Sequence, residues 1–457
     1  MFFRQVLYPD LGCASYILGD AGEAIVVDPR WDIAPYLEIA DAEHLRIVHV
    51  IDTHDHADHV SGRLRLVEAT SARGYRAGPR GDGALDVIVA GDEIFAGSVC
   101  VTAVATPGHR PEHLTFVVSD LSRGPEPWML LTGDSLLVGD VARPDLAVEA
   151  TEGAHALHAS LRRMLDLDDH VEVWPAHIGG SLCGGAGLSS KTSSTIGFER
   201  RHNSLLTLDE DRFVEDVTAD LPTRPPNIKR IVELNRRSAG SSPPEPDLLS
   251  GDALLSMLGS GATVLDSRAP AEFDAGHVAG SINLPVTSAG VGTRAGWALD
   301  PEAPVVIVAR DESDAHRMAS ALHAVGFWHL DGVSLADLDE WRRNSVPVAR
   351  ADSWDVKQLA HGLRRHAVDL VDVREPNEWV AGHIPGSLHV PLHRLREVQS
   401  IVLPHGGRTT AVACAAGMRA AFAASLLRRA GRQDVVRVSG GGVGDLAALG
   451  LELAPGA

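Results

Sequence analysis

Short apolar runs that end in polar loops dominate the first half of the chain. Four of them, AIVVDP, RIVHVIDTH, VTAVAT and WMLLTGD, alternate with longer segments of helical character. Apolar runs of this length, bounded by turn residues, predict buried strands, and their alternation with helices predicts an α/β fold. This first region extends from the N-terminus to about residue 235.

A linker and an internal repeat follow. Residues 236–247, RRSAGSSPPEPD, combine Ser, Gly and Pro without an apolar pattern, which is typical of a linker. TVLDSRAPAEFDAGHVAGSINLPV begins at Thr263 and DLVDVREPNEWVAGHIPGSLHVPL begins at Asp369, a spacing of 106 residues (369 − 263). Both copies predict strand, turn, short helix, Gly-His turn and strand, as in parallel α/β units. We therefore expect domains at residues 1–235, 248–350 and 351–457.

Composition narrows the classes of function. The chain has 457 residues, 44% of them hydrophobic and 22% charged, and a formal net charge of −20. A surface of that charge repels phosphate backbones, which argues against nucleic-acid binding. The N-terminus MFFRQVLYPDLG lacks the apolar stretch of a signal peptide, and no segment reaches the roughly 18 apolar residues that span a bilayer. We expect a soluble cytoplasmic protein without membrane contact. The sequence is compatible with a monomer or a homo-oligomer.

Metal-ligating residue types cluster where the predicted strands end. Imidazole and carboxylate groups bind zinc and iron, and the strand ends of an α/β sheet meet in one crevice. The candidates are His54, His56, Asp58 and His59 in THDHADH, His109 in TPGHRPEH, Asp134 in LLTGDSL and His177 in WPAHIGG. The plain alternative for THDHADH is a polar loop rich in histidine. His113 follows His109 by four residues, which would place the two on one helical face, and we assign His113 a structural role.

Together these segments resemble the metallo-β-lactamase fold superfamily over about the first 235 residues. The resemblance implies an αβ/βα sandwich with a metal site at one sheet edge. The superfamily includes dinuclear zinc hydrolases and mononuclear iron persulfide dioxygenases, and the ligand types alone leave zinc and iron open. In a dinuclear site, the two metals would be held by His54, His56, His109 and Asp134 and by Asp58, His59, Asp134 and His177.

Two further segments resemble persulfide dioxygenases. GDVARPDL places Arg143 where that family contacts an anionic thiol substrate, and the Gly/Ser-rich segment 177–203 resembles dioxygenases fused to rhodanese modules. The resemblance implies one Fe(II) per chain, held by His54, His109 and Asp134, with open positions for O2 and the persulfide. The residues that would then orient these ligands are His56, Asp58, His59 and His177. Cys183 is either a persulfide acceptor at the pocket mouth or an inert thiol.

The repeated pattern resembles rhodanese domains. In the second copy, the run TAVA ends at Cys414, and a loop of small residues leads through Arg419 into a helix. Successive backbone N–H groups and the helix N-terminus would stabilise a thiolate there, and the family carries a persulfide on this cysteine. The first copy places Ala309 and Asp314 at the two matching positions, so we interpret it as a pseudo-rhodanese that cannot transfer sulfur.

In this α/β multidomain chain, the resemblances together imply a sulfur-oxidising enzyme active in sulfide detoxification. The N-terminal domain would oxidise a thiol persulfide with O2 to thiol and sulfite. Cys414 would then deliver persulfide or form thiosulfate, and joining both sites in one chain raises the effective concentration of a shared intermediate. A dinuclear zinc thioester hydrolase of the glyoxalase II type with an appended sulfurtransferase is the main alternative. A sulfur-relay scaffold without N-terminal catalysis is the second.

Overall fold

The structure of this chain is a computed structural model. It describes residues 1–78, 86–179, 181, 183–185, 187–219, 221, 223–237, 243–288, 290–397 and 408–456. The chain forms two units, Met1–Ser242 with Ala324–Gly326, and Pro243–His323 with Phe327–Ala457. Five positions of the predicted linker, 238–242, lie outside the described residues.

Two six-stranded sheets form the centre of the N-terminal unit. The first sheet is ordered β1 (Phe2–Tyr8), β2 (Cys13–Asp20), β3 (Glu23–Val27), β4 (Arg46–Ile51), β5 (Arg73–Ala77), β6 (Asp86–Ile88). The second is ordered β14 (Ser194–Thr195), β13 (Glu172–Pro175), β10 (Met129–Gly133), β9 (Leu114–Asp120), β8 (Val99–Ala105), β7 (Glu93–Ala96). A separate small ribbon pairs β11 (Leu136–Leu137) with β12 (Asp140–Val141).

Apolar side chains between the sheets form the central core of this unit. Strand alternation sends Tyr16 and Ile25 of the first sheet, and Val101 and Phe116 of the second, into one buried cluster. Helices cover the outer faces, which gives the αβ/βα sandwich that the sequence predicted. They are α1 (Ala34–Ala42), α2 (Arg63–Thr70), α3 (Ala150–Met164), α4 (Ile196–His202), α5 (Glu210–Ala219) and α6 (Ile228–Asn235), with a 3-10 turn at Ser204–Thr207.

Each repeat in the second unit forms its own parallel sheet. The first repeat contains α7 (Gly251–Gly259), β15 (Thr263–Asp266), α8 (Pro270–Ala275), β16 (His277–Val278), β17 (Ile282–Asn283), α9 (Val291–Ala298), β18 (Val305–Ala309), α10 (Glu312–His323), β19 (Leu330–Leu335), α11 (Leu338–Arg343) and β20 (Val348–Ala349). The second contains β21 (Ser353–Asp355), α12 (Val356–Arg364), β22 (Val368–Asp372), α13 (Pro376–Ala381), β23 (Leu388–His389), β24 (Thr409–Ala413), α14 (Met418–Arg429) and β25 (Val435–Ser439), with 3-10 turns at Leu392–Glu397 and Val443–Leu449.

The two repeats share their strand order and register. The sheets run β17-β15-β18-β19 and β21-β25-β24-β22-β23, so β15, β17, β18 and β19 correspond to β22, β23, β24 and β25. Asp266 pairs with Val308 in the first repeat, and its counterpart Asp372 pairs with Ala413 in the second. The next residue along the chain is Ala309, the last residue of β18, in the first repeat and Cys414, which directly follows β24, in the second. Backbone pairing therefore gives the same equivalence as the sequence alignment.

An aspartate-arginine pair at the first strand of each repeat has a structural role. The buried Arg374 guanidinium donates to both Asp372 carboxylate oxygens and to the Gly382 carbonyl, at 2.7–3.0 Å. Arg268, Asp266 and Gly276 repeat this arrangement in the first copy. Each arginine thus joins the end of a strand to the turn after the following helix. In the described ranges, no helix is both long and apolar enough to cross a membrane.

Replacing Arg374 by alanine should lower the free energy of unfolding by about 3–5 kcal/mol, because it leaves the Asp372 carboxylate buried without its partner. The matched control is Arg342→Ala, which breaks an exposed ion pair with Asp339 and should cost no more than about 1 kcal/mol. Urea denaturation followed by circular dichroism measures both. Equal losses of unfolding free energy in the two variants would contradict a structural role for the buried pair.

Candidate functional site

Three strand ends of the N-terminal unit bring His54, His109 and Asp134 together. They follow β4, β8 and β10, respectively, and all three are buried. The Nε2 atoms of His54 and His109 lie 3.9 and 3.4 Å from the same carboxylate oxygen, Oδ2 of Asp134. One ligand atom from each residue falls within 4.8 Å of the others, which is the spacing of a shared metal ion.

The atoms that face this point fit a cation. Across the described residues, no group makes a well-aligned hydrogen bond to His54 Nε2, His109 Nε2 or either carboxylate oxygen of Asp134. Burial of so many unpaired polar atoms is costly unless something binds them. Two imidazoles and one carboxylate on one side of a site are a ligand set for a divalent transition metal. The residues therefore fit a metal ion.

The other side of each imidazole is held by the protein. His109 Nδ1 donates to the backbone carbonyl of Arg143 at 2.9 Å, which directs Nε2 toward the site. His54 Nδ1 lies 2.9 Å from the hydroxyl of Thr53, and that hydroxyl donates to Asp28 at 2.9 Å. Burial lowers the pKa of both His54 and His109. Neutral imidazoles are the form that binds a metal.

His113 does not share a helical face with His109, because residues 106–113 form turns instead of a helix. The expected pairing of the two rings on a helix was therefore wrong. His113 Nε2 accepts from the backbone N–H of Asp134 at 2.9 Å, and Nδ1 lies 2.8 Å from the Thr106 hydroxyl. Burial lowers the pKa of His113 to about 4, so the ring stays neutral and can accept this hydrogen bond. It positions Asp134.

His177 reaches the same carboxylate from β13. Its Nε2 atom lies 3.0 Å from Asp134 Oδ2 and 3.5 Å from Asp58 Oδ2. Burial alone would lower the pKa of His177, but the Asp134 carboxylate raises it above its usual value. The structure thus places His177 between Asp58 and Asp134.

The remaining predicted ligands are bonded to other protein groups. Asp58 faces His59 Nδ1 through one oxygen and accepts from the Cys13 thiol through the other, both at 3.1 Å. His56 Nε2 lies 3.1 Å from Asp28. His56 Nδ1 is buried and has no hydrogen-bond partner in the described part of the chain.

Arg143 is buried and ion-paired. Its guanidinium donates to both oxygens of Asp145 at 2.7 and 2.9 Å, and Asp145 also accepts from Arg224 at 2.8 Å. Its backbone joins two parts of the site, because the carbonyl holds His109 and the N–H donates to the Cys183 carbonyl at 3.0 Å. Arg143 also lines a cavity of about 330 Å³ with the glycine-rich segment around Gly185.

Cysteines contribute more to this centre than the sequence indicated. Cys183 is buried, and its sulfur lies within 4.8 Å of ligand atoms of Asp134 and His177. It does not stand at a pocket mouth, as one alternative had it. Burial raises the pKa of Cys183 to about 12, so the side chain is a neutral thiol. Cys13 reaches the centre because β2 begins at this residue, a three-dimensional relation that its sequence position, far from every other candidate, did not reveal.

The second repeat places Cys414 at the start of a tight loop. The residue directly follows β24, and Gly417 donates its backbone N–H to the Cys414 sulfur at 3.0 Å. Gly417 has φ +90°, a conformation that favours glycine. A Cβ on Gly442 would lie 2.1 Å from the Cys414 carbonyl oxygen, so only glycine fits where the chain after β25 crosses the loop. The loop then enters α14.

Arg419 lies at the start of α14 but faces a carboxylate. Its guanidinium forms a two-point ion pair with Glu378 of α13, with Nη2 at 2.8 Å from Oε1. In the first repeat, Asp314 replaces this arginine and pairs with Arg310 and Arg317. That repeat therefore has neither a thiol at Ala309 nor a cation at the equivalent helix position.

Comparison with known proteins agrees with this architecture. The family description "Metallo-beta-lactamase superfamily" matches residues 8–177, and "Rhodanese-like domain" matches residues 250–341 and 355–447. The chain is a metallo-β-lactamase-fold protein with two rhodanese-like domains. The chain is 29% identical to persulfide dioxygenase ETHE1 of Bos taurus over 251 residues, 53% of this chain and 91% of that protein.

Two further relatives show the breadth of this similarity. The hydroxyacylglutathione hydrolase of Methylobacillus flagellatus is 27% identical over 195 residues, 42% of this chain and 69% of that protein. A crystal structure of a metallo-beta-lactamase from Staphylococcus aureus aligns with a TM-score of 0.65 and 27% identity. That alignment covers 74% of this chain and 99% of the other.

Replacing His109 by alanine should reduce the metal content of the purified protein at least about tenfold, because it removes one of three ligands. The matched control is His155→Ala in the same domain. The exposed imidazole of His155, on α3, pairs with Glu210 of α5. Elemental analysis of both variants measures the change. Full metal content in the His109 variant would show that the metal is held elsewhere.

Proposed function

We propose that the metallo-β-lactamase domain oxidises a low-molecular-weight thiol persulfide with O2 to thiol and sulfite. The observation that carries this proposal is the buried set of His54, His109 and Asp134, whose ligand atoms converge without hydrogen-bond partners. In the overall reaction, R–S–SH, O2 and H2O give R–SH, sulfite and two protons. The terminal sulfur loses electrons, O2 accepts them, and the S–S bond breaks with the thiol as leaving group.

The proposed cofactor is one Fe(II) per chain, with zinc as the alternative. His54, His109 and Asp134 would hold it, and iron supplies when bound the redox chemistry that lets O2 react with sulfur. The chain keeps both imidazoles neutral through burial and holds His109 through the Arg143 carbonyl.

His56, Asp58, His59 and His177 are then proposed to orient the ligands or shape the site. His177 faces the carboxylate of Asp134 and accepts or donates a proton at Nε2, the atom nearest that oxygen. Its other ring nitrogen lies 2.7 Å from the Ser181 hydroxyl, which fixes the ring. His56 is fixed from behind by Asp28.

Arg143 and Cys183 are proposed to contact the substrate. Arg143 lines the cavity beside the glycine-rich segment, where a cation would attract the anionic end of a thiol carrier. The pairing with Asp145 holds its guanidinium in one orientation. Cys183 presents a neutral thiol near Asp134, so it would contact a persulfide without competing as a thiolate.

The second rhodanese-like domain is proposed to move sulfane sulfur through Cys414. The N–H of Gly417 contacts the sulfur, and a persulfide on Cys414 would be held in the same loop. Transfer of the outer sulfur to sulfite regenerates the Cys414 thiolate and yields thiosulfate, and the reverse flow would supply persulfide. Arg419 would attract anionic sulfur donors if its guanidinium exchanged the ion pair with Glu378 for a contact with the donor. The cytoplasmic location stays a prediction.

The alternative is a dinuclear zinc hydrolase that attacks a thioester. It is favoured by the similarity to a hydroxyacylglutathione hydrolase and by the presence of every ligand that a metal pair would need. In that reaction Asp58, His59, Asp134 and His177 would hold the second ion, and the metals would activate a water for attack on the thioester. The two proposals differ in metal count and in the need for O2.

Protein purified without oxygen should contain one iron per chain and consume O2 when glutathione persulfide is added, with sulfite as product. Elemental analysis and an oxygen electrode measure the two quantities. Asp134→Asn should lose both iron and O2 uptake, since the amide is a weaker ligand than the carboxylate. Two zinc ions per chain, with turnover of S-lactoylglutathione in the absence of O2, would establish the hydrolase instead.

Replacing Cys414 by serine should abolish the formation of thiocyanate from thiosulfate and cyanide, because it removes the thiol that would carry the sulfur in the loop before α14. Sulfite formation from glutathione persulfide should continue, since the small substrate reaches the metal site by itself. Cys100→Ser, which alters a cysteine inside β8, is the matched control and should keep both activities. Thiocyanate production by the Cys414 variant would exclude this cysteine as the sulfur carrier.

A further inference from the structure

A buried ion pair joins the two rhodanese-like domains within the second unit. Arg437, on β25 of the second domain, donates from Nε and Nη2 to Oδ2 of Asp274, on α8 of the first, at 3.1 and 2.6 Å. Their side chains are only 8% and 11% exposed, so the pair is shielded from solvent. A buried pair of this kind adds little net stability compared with apolar side chains of similar volume, although removing one partner is costly.

The position of Arg437 relates this pair to the Cys414 loop. Its third nitrogen, Nη1, lies 3.8 Å from the point where a Cβ would stand on Gly417. Gly417 is the residue whose N–H contacts the Cys414 sulfur at 3.0 Å. The guanidinium therefore has one edge on the carboxylate of the first domain and the other edge toward the sulfur-binding loop of the second.

The other cation near this loop is differently placed. Arg419 forms its two-point ion pair with Glu378, which belongs to the same domain. Arg437 uses a single oxygen of Asp274 for both of its contacts, so Nη1 is left facing the loop. The two arginines approach the loop from different elements, α14 and β25.

More contacts keep the first domain against the elements that carry the loop. The Ser425 hydroxyl of α14 accepts from the backbone N–H of Asn283 at 3.0 Å, and both residues are buried. Arg429, at the end of the same helix, donates to the Gly280 carbonyl at 2.9 Å. The helix whose N-terminus follows the Cys414 loop is thus fixed from the first domain as well.

We propose that Asp274 and Arg437 act as a positioning pair for the proposed sulfurtransferase, so that the first rhodanese-like domain is a working part of the Cys414 site. Asp274 holds the guanidinium of Arg437 beside the loop, and the guanidinium favours the approach of an anionic sulfur donor. This inference rests on sulfur transfer at Cys414. It gives the domain without a cysteine a defined task.

The reaction that would respond is sulfur exchange with thiosulfate. The Cys414 thiolate attacks the outer sulfur, a new S–S bond forms, and sulfite leaves with the electron pair of the broken bond. Cyanide then takes the outer sulfur as thiocyanate and returns the thiolate. The donor carries two negative charges at the moment of approach, so a nearby cation should act mainly on its binding.

Arg437→Gln and Arg437→Lys separate charge from packing. With thiosulfate and cyanide as substrates, the glutamine variant should show a rise in KM for thiosulfate of about tenfold with a smaller change in kcat. The lysine variant keeps the cation and should recover most of this loss. Wild-type KM in the glutamine variant, or equal defects in both variants, would overturn the proposal.

Alkylation of Cys414 provides a test that does not need turnover. Iodoacetate and iodoacetamide react with the same thiolate, but only iodoacetate is an anion, so the ratio of their rates reports local positive charge. Arg437→Gln should lower this ratio severalfold and Arg437→Lys should not, as measured by mass spectrometry of the Cys414 peptide. An unchanged ratio in Arg437→Gln would contradict the proposed positioning pair, and this test does not depend on turnover. A lack of sulfurtransferase activity in the wild-type protein would refute the proposed function instead.

Asp274→Ala tests whether the first rhodanese-like domain contributes to the Cys414 site. It should raise KM to the value of Arg437→Gln, and the double variant should be no worse than either, because the two residues act as one unit. The matched control is Asp339→Ala, which removes an exposed carboxylate of the same domain. Normal KM in Asp274→Ala, whatever the change in thermal unfolding, would show that Arg437 needs no partner in the first domain.

Discussion

The burial of polar atoms that have no protein partner is the constraint on which the N-terminal domain depends. His54, His109 and Asp134 turn their free nitrogen and oxygen atoms toward one point inside the sandwich. Their burial is costly while they are unpaired, and a bound cation would offset that cost. The hydrogen bonds behind them, from His109 Nδ1 to the Arg143 carbonyl and from the Asp134 N–H to His113, hold the ligands in place for a cation.

The rhodanese-like domains show a different use of polar groups. Their buried Asp–Arg pairs tie strand to turn in both copies, whereas the Asp274–Arg437 pair runs from one copy to the other. Duplication therefore kept the scaffold in both copies, and the cysteine in one. The copy with Ala309 in place of the cysteine still packs against α14 and β25, the elements on either side of the Cys414 loop.

Much of the site could be predicted from residue type and spacing. The strand ends that carry His54, His109, Asp134 and His177 follow from apolar runs that stop abruptly. Alignment of the runs VVIVA and TAVAC by the helices after them predicted the equivalence of Ala309 and Cys414 that strand register also gives. His113 was misplaced, because a spacing of four residues indicates a helical face only where a helix exists. One of the two alternatives for Cys183 put it at a pocket mouth, whereas the chain folds it inward beside Asp134.

By itself, the sequence determined the two kinds of fold, the order of the domains and the identity of the side chains able to bind a metal or carry sulfur. Those properties depend on local periodicity and on residue chemistry, which are written along the chain. Only the tertiary structure decided which atoms are left without partners, that Cys13 reaches Asp58, and that Arg437 stands between Asp274 and the loop of Cys414. Such relations join residues far apart in sequence, and they arise from packing rather than from any local pattern.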